Sequence, residues 1–489
     1  MNFLAKAIGT AANVLTGGAL SKEYERAFYE GAKSTRLNRD FNITNNHFEL
    51  QAGSDREMLK ARARWLAANN PITKSIDKSI IKNVVGKGIT LQSKVKEDEL
   101  KSARQFNTDI ENLWSEFIKK EHFDAAGRLG LYQSQKLVLK TKMTDGEILI
   151  NKVWTKDKKF PLKFQFVESD QFDTRLTKNG TNDVFSGVEI DSYGKPVAYH
   201  LKESINSFSS SRYDAKNIIH YFDIERTTQY RGISDYAQTI NNLKDFAAYN
   251  DSEIVKNRIL SSFGLFIKTS DLGKSMFSDK KTGEKQGSTE PIKEITAGMI
   301  KYLRQGEEVQ TVQSTQQGNS YNDFITTTIR LIAAGRDISY ELAFRDYSKV
   351  NFASARAGLI QDNKRFDHEQ QTMVANVLDP MFEAFVDSQV LVGNLKAPSD
   401  YWQNKHKYVK PVWVMPEREW VDPLKDIKAT KEEIVLGINS KTRAAASKGR
   451  NLEDIIDEQI AEEVMILEKR KNAKLPIEGE NTDAKTAKA

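Results

Sequence analysis

The sequence predicts an α+β protein with more than one domain. Three observations carry that expectation. Long stretches in both halves of the chain place apolar residues at helical spacing. After Gly146 the texture changes to short β-rich runs separated by turn residues. At 489 residues the chain is also too long for one compact core.

Composition excludes several classes. With 39% hydrophobic and 29% charged residues the chain reads as globular with a large charged surface. It has no cysteine, which removes disulfides, thiolate metal sites and cysteine nucleophiles and suits a reducing cytoplasm as the site of synthesis. No apolar run is long enough to span a bilayer, so no membrane partner is expected. Met1 to Leu20 makes a poor signal peptide, diluted by Gly9, Thr10, Asn13, Thr16, Gly17 and Gly18, and reads as a flexible or amphipathic arm. The net charge of +6 is weak evidence for a nucleic-acid partner.

The elements follow in order. A helix is expected around Glu23 to Lys33, then loop, then a basic helix from Asp55 carrying Arg56, Lys60, Arg62 and Arg64. Asn70 caps the next helix with Pro71 at its first position, and Ile72, Ile76, Ile80 and Val84 form one buried stripe that Gly86 and Gly88 end. Between Asp55 and Lys87 eight basic residues face three acidic ones, read here as stems over core with solvated heads in preference to a DNA contact. Two helices occupy 100 to 142, the first with Leu113, Trp114 and Phe117 on its apolar side. Strands are expected at Glu147–Trp154, Leu162–Val167, Gly187–Ile190, Pro196–Tyr199 and Ile218–Phe222.

A long, lightly apolar helix is expected from Ser234 as its cap, through Tyr236, Ile240, Leu243 and Ala247. A polar tip spans Lys268 to Glu290, and a hairpin joins Met299–Leu303 to Glu308–Val312. An apolar helix covers Tyr321 to Ala334 through Phe324, Ile325, Ile329 and Ile332. The longest helix runs from Ser354 to Val390, with Asp379-Pro380 expected to kink or restart it. Leu452 to Lys471 is helical, acidic first and basic last, in line with the helix dipole, and a polar tail follows.

Catalytic signals are missing. Gly273-Lys274-Ser275 holds the last residues of a phosphate loop, but Lys268 stands where its first glycine belongs. None of the six histidines pairs with another at metal-ligand spacing on one helix, and His220, inside an apolar strand, reads as a satisfied structural residue. The residues therefore favour a protein that is not an enzyme and needs no cofactor. Two rival readings are a DNA-processing enzyme, which would require a phosphate loop or an acidic metal cluster, and a monomeric binding module.

Five stretches, in order, resemble the lambda-type bacteriophage portal protein family. They are Arg62-Ala-Arg64 through Asn69-Asn70-Pro71 to Val84-Val-Gly-Lys-Gly-Ile89; Gly187–Asp191 with Gly194–Tyr199; Gln229-Tyr-Arg-Gly-Ile-Ser234; Ile332–Gly335 with Tyr340–Leu342, Asp346–Ser348 and Asn351–Gly358; and Trp420-Val-Asp-Pro423. Phe352-Ala353 stands where the family more often has Tyr-Ser, and Arg226-Thr-Thr228 replaces a more usual Pro-Gly. The resemblance implies a phage portal fold: an N-terminal arm (1–54), an α/β wing (55–230), a first stem helix (231–260), a clip (261–320), a second stem helix (321–336), a tunnel loop (337–350), a long tunnel helix returning to the wing (351–421), a helical crown (422–471) and a disordered tail (472–489).

It further implies a ring, typically a dodecamer, at one capsid vertex of the virion, assembled in the host cytoplasm. Double-stranded DNA passes through it non-specifically in packaging and ejection. Partners would be the large terminase subunit, head-completion or tail adaptor proteins, and the major capsid and scaffolding proteins. The run Arg345-Asp346-Tyr347-Ser348-Lys349 has no apolar face to bury, so part of it should meet solvent; under the resemblance that solvent is the channel. Arg345, Tyr347 and Lys349 are the expected DNA-facing residues. The competing reading is that Arg345 and Asp346 pair with each other or with a neighbouring subunit and only shape the loop.

Overall fold

The computed structural model describes residues 46–96, 100–204, 207–261, 266–268, 301–303, 319–348, 350–416, 423–448 and 452–472. The arm before residue 46, most of the clip, the Gly273-Lys274-Ser275 stretch, Lys349, Trp420 and the tail from residue 473 lie outside these. The architecture is mixed helix and sheet.

Helix α1 covers Phe48–Asn69 and α2 covers Pro71–Val84. Asn70 caps α2 as its sequence predicts, its side-chain oxygen accepting from the amides of Ile72 (3.0 Å) and Thr73 (3.1 Å). Ile76, Ile80 and Val84 are buried. α1 starts before the expected Asp55, because Glu49 in its first turn is anchored from afar: it accepts from the amides of Tyr230 (2.9 Å) and Arg231 (3.0 Å) and pairs with Arg56 at 2.9 Å. The basic face of α1 is turned largely inward. Arg56 and Lys60 are each 3% exposed, and Arg64 forks onto Asp145 and Asp170.

Strand β1 (Thr90–Ser93) leads to α3 (Ala103–Phe117) and α4 (Leu131–Asp145), which ends on left-handed Gly146 at φ 91°. β2 (Glu147–Trp154) and β3 (Leu162–Val167) follow, matching the predicted strands. β4 (Lys178–Asn179), β5 (Asn182–Phe185), β6 (Val188–Ile190), β7 (Pro196–Lys202) and β8 (Ser210–Asp214) form an antiparallel meander in that order. β9 (Ile218–Phe222) joins the other sheet, ordered β3-β2-β9. β4, β5 and β8 carry few apolar residues, which is why no alternation announced them. The centre strand β2 faces two cores, since successive side chains point to opposite faces. Ile148 and Ile150 enter the main core with Phe117, Leu139 and Phe164. Leu149 enters a smaller core between the sheets with Phe172, Tyr199 and Ile218.

Helix α5 (Ile240–Ser261) begins six residues after the predicted Ser234 cap. Ser234 instead sits in a turn, donating to the Met143 carbonyl at 3.3 Å and accepting from the Tyr236 amide at 3.2 Å. β10 (Phe266–Lys268) pairs in parallel with β11 (Lys301–Leu303). That strand was expected to pair with 308–312, which lies outside the described residues. α6 (Asn319–Gly335) packs on α5, with the Tyr249 ring 4.2 Å from that of Phe324 and 5.8 Å from that of Tyr321. The 337–350 connector contains a short helix, α7 (Tyr340–Phe344).

The long helix is interrupted and restarts at Asp379-Pro380, as expected. α8 (Phe352–Met373) passes through a π turn at Val374–Leu378 into α9 (Asp379–Val392). Pro380 offers no amide to the carbonyl four residues back, and its ring crowds that carbonyl, so the preceding turn widens. β12 (Pro411–Val414) returns to pair antiparallel with β1. α10 (Pro423–Val435), α11 (Lys441–Ser447) and α12 (Leu452–Asn472) close the described chain.

Candidate DNA-facing loop

The loop grows out of the end of α6. Arg336 turns inward there, 3% exposed, its guanidinium 3.2 Å from Asp77 and 4.1 Å from the Tyr236 ring centre. Tyr236 donates its hydroxyl to the same Asp77 carboxylate. Asp337 then adopts φ 49° and reverses the chain. Ser339 caps α7, accepting from the Leu342 amide at 3.3 Å. Ser339 is itself tied to α8, its amide and hydroxyl donating to Asp362 at 2.7 and 2.6 Å. Burial pushes the Asp362 carboxyl above its usual range, against the bonds from Ser339.

A second set of charges fixes α8 beneath the loop. Arg365 donates to the Arg336 carbonyl and lies 3.6 Å from Asp235 and 3.7 Å from Glu369. Glu369 holds the Lys142 ammonium at 2.8 Å, and Asp223 pairs with the same group. Burial works against the charge on Lys142, yet Asp235 and Glu369 outweigh it and raise its pKa. The base of the loop is therefore clamped to α2, α4 and α8, while its far end is open.

Arg345, at φ 58°, ends α7 in the left-handed region; it is exposed, and its guanidinium reaches Ser79 Oγ at 3.5 Å. Tyr347 is 56% exposed. Asp346 accepts from the Ser348 amide at 3.0 Å. Arg345 and Tyr347 thus share the open end; Lys349, the third expected residue, lies outside the described residues. Sequence reasoning missed the clamp. Its members Arg336, Asp362 and Arg365 sit beside the family-like stretches, and Arg336 directly follows Gly335, but nothing local says that a charged residue turns inward. Among the described residues no group of acidic and histidine side chains could hold a metal, and no helix is long and apolar enough to cross a membrane.

His220 is a paired structural residue. Its Nε2 lies 3.0 Å from Glu147 Oε2 in a buried site.

The sequence matches the family model described as phage portal protein, lambda family, over residues 34–370, and the chain belongs to that family. It is 27% identical over 452 residues to a probable portal protein of Halomonas phage phiHAP-1, covering 89% of this chain and 86% of that one. It is 19% identical over 395 residues to portal protein B of Escherichia phage lambda, covering 74% of each. Among solved structures it is similar to a chain of the neck of an empty gene transfer agent particle, at 13% identity and a TM-score of 0.43, covering 81% of this chain and 94% of that one.

Proposed function

We propose that the chain assembles into a ring at one capsid vertex and that double-stranded DNA is packaged and ejected through its central channel. Membership of the portal family supports this reading. The observation that carries it is apolar surface left open on the single chain. α5 exposes Ile254 (53%) and Val255 (49%), and α6 exposes Leu331 (58%). α12 exposes Ile456, Ile460, Val464 and Leu467 along one stripe, each more than 40% accessible. Such faces call for a partner, and copies of the same chain around a closed ring supply one to every subunit. The virion is then its location. The clip would dock the packaging motor and later the head-completion proteins, with capsid and scaffolding proteins around the rim.

Within that ring, Asp337 to Val350 lines the narrowest part of the channel, and Arg345, Tyr347 and Lys349 face the DNA. Their phosphate contacts are few and non-specific, so the duplex can slide. Lys349→Glu is expected to slow packaging or reduce DNA retention while rings still assemble. A Lys349→Glu chain that fails to form rings makes this residue an interface element. A chain that stays a monodisperse monomer at high concentration overturns the ring itself.

A further inference from the structure

Away from the loop, a groove of about 720 Å³ opens between the C-terminal turns of α1, the outer face of α4 and the free edge of β3. Three features of it point to a ligand. The first is unpaired backbone. β3 is an edge strand, and the Phe164 carbonyl turns away from β2 to accept from the Ala125 amide at 2.9 Å. Backbone direction alternates along an antiparallel strand, so the amide and carbonyl of Phe166 also face outward. Residues 124–125 bridge only Phe164, and no described segment pairs with Phe166. The second is Thr144, which lines the groove 5% exposed with its hydroxyl unpartnered.

The third is charge. Arg64 is spent on Asp145 and Asp170, and the Asp124 carboxylate accepts from the amides of Arg128 and Leu129. The side chains of Lys74, Arg128 and Lys140 are exposed on the rim and make no ion pair among the described residues, leaving Glu168 as the one lining carboxylate outside these pairings.

We propose that this groove binds an extended acidic peptide segment of another protein, added as a strand to the β3 edge at Phe166. The segment's backbone satisfies Phe166 and its carboxylates meet Lys74, Arg128 and Lys140. Strand addition draws affinity from main-chain hydrogen bonds and specificity from alternate side chains. The apolar floor of Leu129, Leu137 and Ile148 suits the aliphatic side chains between the acids. A nucleic acid would use the cations but not the open strand edge. This site is independent of the channel reading.

The test uses the full chain in its native assembly and a short labelled peptide alternating valine with glutamate. Comparison probes are the same peptide with lysine for glutamate, the same peptide N-methylated at alternate amides, and a single-stranded oligonucleotide. Saturable binding of the acidic peptide is expected, about tenfold weaker in the Arg128→Glu/Lys140→Glu variant and lost on N-methylation. Hydrogen exchange should slow in residues 162–168 of the unmodified protein when peptide is added. That measurement decides the matter even when the double variant fails to fold: no added protection overturns the proposal. So does equal binding of the N-methylated peptide, binding of the oligonucleotide in place of the peptide, or a change in native mass of the double variant, which would make the groove a contact between copies of this chain.

Discussion

Arg231 and Glu147 form a fully buried ion pair at the crossing where the strands hand over to the α5 segment. Arg231 Nε lies 2.8 Å from both Glu147 oxygens, and both side chains are 0% exposed. The guanidinium also sits 3.4 Å above the Phe172 ring. Glu147 takes two further donors, the Gly232 amide and His220, each at 3.0 Å. One carboxylate thus binds β2, β9 and the start of the 231–239 turn together.

Removing one partner strands the other charge. Arg231→Met and Glu147→Gln are each expected to cost about 3–5 kcal/mol, the range for breaking a buried pair, read by chemical denaturation. An Arg231→Met protein within about 1 kcal/mol of the parent would show that the pair contributes specificity and little stability.

The same crossing needs two glycines. A Cβ on Gly232 would overlap the Gly146 carbonyl, and one on Gly146 would meet Ser234 N at 2.6 Å. The obstacles are backbone, which cannot rotate aside. Gly232→Ala should yield insoluble or strongly destabilised protein, whereas Gly180→Ala, whose Cβ meets nothing within 4 Å, should stay soluble with only the modest strain of its φ of 62°. Soluble yield and thermal midpoint separate the two.

Acid should weaken the fold through His220. Burial holds its pKa below the ordinary 6.5, outweighing the opposing Glu147 bond. Below about pH 6.5 the unfolded chain gains a proton that the folded state refuses, so stability falls as pH drops toward the folded value. Glu147 adds a second loss lower down. Burial opposes its ionisation, but Arg231 and His220 hold its pKa far below 4.5, so its contribution is present above that value and fades beneath it. His220→Gln keeps a donor toward Glu147 and removes the first effect. Its stability between pH 6.5 and 5 should fall less steeply than the parent's, by up to about 1.4 kcal/mol per pH unit, measured by denaturant titration at each pH.

Charges placed on the open stripe of α12 test whether it is an assembly surface. Ile460→Asp and Leu467→Asp lie on exposed positions, so chain stability should change by less than about 0.5 kcal/mol. Assembly, read as native mass, should be impaired. Unchanged mass would show that this stripe is not what neighbouring copies cover.

Local signals determined much of this protein. Strands Glu147–Trp154, Leu162–Val167 and Ile218–Phe222 and the Asn70-Pro71 start of α2 were legible because alternation and capping act over a few residues. The family was legible from motifs in order, and the exposure of Arg345 and Tyr347 from a run without an apolar face. What the tertiary structure alone decided lies at long range. α1 begins at Phe48 because Glu49 meets backbone amides of Tyr230 and Arg231. Lys60, Lys142 and Arg336 are interior because distant carboxylates wait for them. A lysine or arginine reads as surface in any local window, since burying its charge is prohibitive without a partner. Only the fold, by bringing Asp77, Asp170 or Glu369 within reach, turns that cost into a clamp.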